Sequence, residues 1–70
     1  MMPLTMMKIG EKNKIVKITG KDESRKFLNN LGLVEGADVT VVSVLAGNMI
    51  LSVKDTKIAL DKNMARRIMV

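Results

Sequence analysis

Five short β-branched segments in a 70-residue chain, each bounded by a turn signal, predict a mainly β fold closed into a five-stranded small barrel. Size supports closure, because a chain this short buries only about 60% of its unfolded surface and cannot cover both broad faces of an open sheet. A third observation is the 47% hydrophobic content, enough for one core and a single domain over residues 1–70.

At the N-terminus, Pro3-Leu4-Thr5-Met6-Met7 reads as a short turn with Thr5 available as a cap, and Leu4 and Met7 as covers for one end of the core. The first strand is Lys14 to Ile18, bounded by Asn13 and Gly20. Its apolar residues Ile15, Val16 and Ile18 fit no single face, which a bulge would explain. Asp22-Glu23-Ser24 then offers caps and negative charge to a helix ending at Leu31, where acidic groups complement the helix dipole. Phe27, Leu28 and Leu31 share one of its faces.

The densest geometric information lies in FLNNLGLVEGADVTV, Phe27 to Val41. With Gly32 at C′, Leu33 is C″ and Leu28 is C3, the two positions that touch in a Schellman ending. Glu35-Gly36 suits the centre of a type II turn, whose second central residue needs a positive φ. The second strand follows over Ala37 to Val44, Gly47-Asn48 reads as a tight hairpin, and Met49 to Val53 is the third strand. Lys54-Asp55 makes a further reversal into a fourth strand, Thr56 to Leu60. Asp61 caps a one-turn helix through Ala65, and Arg67 to Val70 extends as the fifth strand.

The pattern L-x-x-L-G-L-x-x-G-x-x-V over Leu28 to Val39 resembles the signature segment of the FeoA family, small cytoplasmic accessory proteins of bacterial ferrous-iron uptake. Leu4, Met7 and Gly10-Glu11 resemble that family's opening, Ile15 with Ile18-Thr19-Gly20 its first strand, and Ile58-Ala59-Leu60 with Ala65, Ile68 and Val70 its end. Ile9 and Glu35 stand where the family usually has proline, and Phe27 where an arginine is common. The resemblance implies an SH3-like barrel with the helix inserted between strands one and two. It also implies a partner, the FeoB membrane transporter with its cytoplasmic GTPase domain, and hence a cytoplasmic protein recruited to the inner face of the membrane through that partner.

Composition excludes much chemistry. With no cysteine and no histidine there are no disulfides, no Cys or His nucleophile, and none of the usual nitrogen or thiolate metal ligands. Ser24, Ser43 and Ser52 have no histidine to activate them, so no enzymatic activity, catalytic residue or cofactor is expected. Met1, Met2, Met6 and Met7 invite a thioether reading for a soft metal, but thioethers more often fill gaps in a core. Asp22, Glu23 and Glu35 lack the alternating spacing of a calcium loop. The five glycines occur singly, as turn residues do. No apolar stretch approaches the roughly 20 residues of a membrane span, and MMPLTMMKIG lacks the order of a signal peptide, so a soluble protein is expected.

Twelve basic against seven acidic residues give a net charge of +5, which raises the rival reading of a small basic barrel that binds nucleic acid or the ribosome. The lysines are scattered rather than clustered, and one aromatic provides no stacking platform. More informative is an apolar excess in the second and third strands, where Val39, Val41, Val42 and Val44 occupy both parities. Alternation selects Val42, Val44 and Ile50, with Leu45 at the hairpin shoulder, as candidates for a partner-binding patch. A homo-oligomer is compatible with the sequence, which does not set the oligomeric state.

Overall fold

Ile15 and Ile18 are buried while Val16 between them is exposed, and this triplet organises the molecule. In the computed structural model, which describes residues 1–70, the segment read as one bulged strand is two short strands, β1 (Lys12–Lys14) and β2 (Lys17–Ile18), that serve different sheets. After helix α1 (Asp22–Asn30) come β3 (Asp38–Leu45), β4 (Asn48–Val53) and β5 (Thr56–Asp61), then α2 (Lys62–Ala65) and β6 (Ile68–Met69). One sheet runs β1-β3-β4-β5 and the other pairs β2 with β6, all antiparallel. The barrel therefore has six strands rather than five, because the first strand turns at Ile15-Val16 to leave β3 and join the chain's last strand. A kink of this kind closes a barrel without a long strand having to bend smoothly.

The core is one cluster of 13 apolar residues, with no buried polar or charged residue. Leu4, Ile15, Leu28, Leu33, Val39, Val41, Leu51 and Ile68 are essentially inaccessible within it. Leu4 comes from a 3-10 turn (Leu4–Met6) whose N-cap is Pro3 without a side-chain cap, so the expected role for Thr5 is not taken. Met7 packs against the core from its edge. The N-terminus is held by Met2 and Val70, which exchange N–H to carbonyl bonds of 2.8 Å in both directions.

The end of α1 follows the expected cap. Leu33 N–H donates to the Leu28 carbonyl and Gly32 N–H to that of Asn29, both at 3.0 Å, which is the Schellman pair of bonds. Gly32 has φ +92° and Leu28 and Leu33 are fully buried, with Leu31 packed against the same core. Ala37 N–H then closes a turn on the Val34 carbonyl at 3.0 Å, with Gly36 at φ +86°.

The start of α1 differs from expectation. Its N-cap is Lys21, which makes no side-chain cap bond; Asp22 and Glu23 lie in the first turn, and Asp22 forms an exposed ion pair with Arg25 at 3.8 Å. Phe27 does not share the face of Leu28, because consecutive helical residues diverge by about 100° and only Leu28 reaches the core. By contrast Asp61 caps α2 as expected, accepting a 2.8 Å bond from Met64 N–H.

Both hairpins turn on two residues with positive φ, Ala46-Gly47 (51° and 82°) and Lys54-Asp55 (50° and 62°), between the pairs Leu45↔Asn48 and Val53↔Thr56. These are type I′ turns, whose twist matches the flanking strands. The first hairpin was expected on Gly47-Asn48. It falls one residue earlier because Asn48 is needed in β4, paired with both Leu45 and Asp61.

Candidate docking surface

The apolar excess of β3 has a local cause. Val41 pairs with Leu51 and Ser43 with Ile50, leaving Val42 unopposed as a bulge. One extra residue shifts the two-residue alternation, so Val39 and Val41 before the bulge and Val44 after it belong to the same face, that of Leu51 and Met49. Val39 and Val41 are buried in the core, whereas Val44, near the hairpin tip, is 43% exposed. On the opposite face Ile50 stands between Ser43 and Ala59 and is half-buried, as is the bulged Val42. Leu45, the last residue of β3, is 70% exposed.

The four selected residues thus lie in the tip-ward half of the β3–β4 hairpin, Val44 on the core-side face and Ile50 and Leu45 on the opposite one. Ile9, 62% exposed, lies on the other side of β3, in the segment leading into β1. Gly10 N–H donates to the Val41 carbonyl at 2.7 Å, which holds Ile9 alongside the bulge. In the sequence Ile9 is noticeable only as a replacement for proline, and nothing in its local pattern places it beside a strand more than thirty residues away. The rim is polar: Lys8 precedes Ile9, and Lys62 N–H reaches the Gly47 carbonyl at 3.3 Å, setting the start of α2 against the hairpin tip. An apolar centre with a polar rim is the anatomy of a protein-binding patch.

Other features are less specific. A shallow cleft of about 310 Å³ is lined by Lys12, Asp38, Thr40, Ser52, Lys54 and Asp55, with lysine and aspartate in equal number. No group of three or more carboxylates is placed to hold a metal ion. Met1, Met2 and Met6 are exposed, whereas Met49 is buried and Met7 and Met64 pack on the core. No helix is long and apolar enough to cross a membrane.

Two antiparallel sheets wrapped on one apolar core, with a helix inserted between β2 and β3, make this an SH3-like small-barrel domain. The chain belongs to the FeoA family, whose domain model matches residues 2–70. It is similar to the crystal structure of an iron uptake regulatory protein, FeoA, at 36% identity, with a TM-score of 0.91 and coverage of 99% of this chain and 92% of that one. FeoA of Chlorobium tepidum superposes with a TM-score of 0.88 at 23% identity, over 97% of this chain and 67% of that one. FeoA of Stenotrophomonas maltophilia, determined with zinc, gives 0.86 at 22% identity, over 100% of this chain and 89% of that one. That protein is described as a procaryotic SH3 domain protein and a candidate activating factor of bacterial ferrous iron transport. At such identities the last two likenesses speak for the fold alone. No curated protein matches the chain. The family is linked to ferrous iron transport.

Proposed function

We infer that the protein is a non-enzymatic binding module of ferrous iron transport, which docks on cytoplasmic parts of a FeoB-type membrane transporter and biases its conformations. Family membership over residues 2–70 supports the transport context. The observation that carries docking is the exposure of Val44 and Leu45 at the shoulder of the β3–β4 hairpin, on a domain small enough to need every apolar side chain for its core. A ligand without chemistry of its own modulates a transporter only by differential affinity for two of its states, so an effect on transport requires the shoulder to fit one state better. Recruitment by the partner would place the protein at the inner face of the membrane.

The test is recovery of the tagged protein with its native membranes, followed by identification of what accompanies it. A FeoB-type transporter should be enriched by the parent and lost with Leu45→Glu. Equal recovery by both proteins would move docking away from the shoulder, and absence of any transporter would overturn the reading.

A further inference from the structure

Strand β5 lies at the edge of its sheet and has one hydrogen-bonded neighbour, β4. Because the Lys54-Asp55 turn makes Val53 and Thr56 the closing hydrogen-bonded pair, alternation along the ladder turns the N–H and C=O groups of Lys57 and Ala59 to the free edge. None of the hydrogen bonds outside the ladders engages these groups, and no side chain bonds to them. The strand runs six residues without proline or bulge, and α2 leaves its end to pack back against β4 and the N-terminal 3-10 turn. Exposed edges of this length are templates for another strand.

The geometry points to a second copy of this chain as the occupant, with the two β5 edges paired antiparallel about a two-fold axis at Ala59. In that register Ala59 exchanges both backbone bonds with its counterpart, and Lys57 of each copy stands opposite Asp61 of the other. Both of those side chains are exposed, and neither has an ion-pair partner within its own chain. Opposite charges directly across a strand pair stabilise it and like charges oppose it. Neighbouring registers fare worse. A shift by one pair toward the turn sets Asp61 against Asp55 of the other copy, and a shift by two sets Lys57 against Lys57. A shift the other way leaves Lys57 opposite Asn63, which has no charge. On the inner face the same register brings half-buried Ile58 against Leu60 of the second copy, extending the core past the edge. Small Ala59 at the axis allows close approach.

One strand pair buries little surface, so the dimer is a weak, concentration-dependent one. Sedimentation over about 10 μM to 1 mM, the range in which weak interfaces assemble, should show the parent shifting from monomer to dimer. Amide exchange at Lys57 and Ala59 should slow at least several-fold over that range, with the β3–β4 shoulder unchanged. Ala59→Pro removes the central donor on the solvent side, where proline is tolerated, and Lys57→Asp sets two carboxylates against each other. Each should remain folded by circular dichroism and stay monomeric where the parent is dimeric. If the proline variant does not fold, Lys57→Asp carries the test alone. A parent that stays monomeric throughout overturns the inference and leaves the edge to an extended segment of another protein. Variants that dimerise as well as the parent overturn it too.

Discussion

Gly32 joins the helix to the barrel with φ +92°, and a Cβ built there meets only Val53 Cγ1 at 3.6 Å, an ordinary contact. The penalty for a side chain is therefore conformational rather than steric. Gly32→Val should cost on the order of 1–2 kcal/mol from the left-handed backbone alone, and Leu28→Ala about 2–5 kcal/mol from the cavity. Domains of this size rarely hold more than about 3–5 kcal/mol, so Leu28→Ala should leave much of the chain unfolded, whereas Gly32→Val should stay folded in water with a clearly lowered denaturation midpoint. A denaturation midpoint equal to the parent's would reject the cap's importance. Ala46 is the opposite case, since alanine occupies a left-handed position (φ 51°) of a type I′ turn. Ala46→Asn creates the favoured Asn-Gly turn pair and should raise stability by roughly 1 kcal/mol, seen as a higher melting temperature. An unchanged or lowered value would contradict the turn assignment.

Among the elements, those specified by neighbours in sequence were legible. The Schellman ending, the turn at Glu35-Gly36, the reversal at Lys54-Asp55 and the Asp61 cap each depend on residues within a few positions of one another. Features that depend on a distant partner were not. The first strand divides because β1 pairs with β3 and β2 with β6, and no local pattern states which half goes where. The bulge at Val42 is set by its register against β4, so the parity argument holds only as far as Val41. The Ala46-Gly47 turn was hidden because alanine gives no turn signal. Of the candidate patch, Leu45 and Val44 are readable as surplus apolar residues, Val42 and Ile50 are more sheltered than alternation suggests, and the exposure of Ile9 has no local signal. At the start of α1, Lys21 occupies a cap position without a side-chain acceptor. Lys21→Ser supplies one and should stabilise the fold by about 0.5–2 kcal/mol in chemical denaturation. No gain would mean that water or the exposed acidic residues already satisfy that end.

The whole molecule carries +5 net charge without a basic block, a distribution that produces weak, nonspecific attraction to polyanions. Affinity for RNA or DNA should therefore collapse by physiological salt, as counterion release requires of phosphate contacts alone. Tight, sequence-selective binding at that salt would favour the rival nucleic-acid reading. The central claim is that a small barrel with no buried polar residue acts by presenting an apolar hairpin shoulder to a transporter. Val44 and Leu45 are the residues on which to test it, since their exposure lets a charge enter without disturbing the core, whereas Val42 and Ile50 are half-buried. Surface changes of this kind usually alter stability by less than about 0.5 kcal/mol, so lost binding can be separated from lost folding. The deciding measurement is the affinity of purified protein for the FeoB-type transporter, comparing the parent with Val44→Lys/Leu45→Glu and with Phe27→Glu, an exposed apolar site on α1. The account expects the shoulder variant to lose at least tenfold in affinity, about 1.4 kcal/mol, while Phe27→Glu binds like the parent. Undiminished binding by the folded shoulder variant would contradict it.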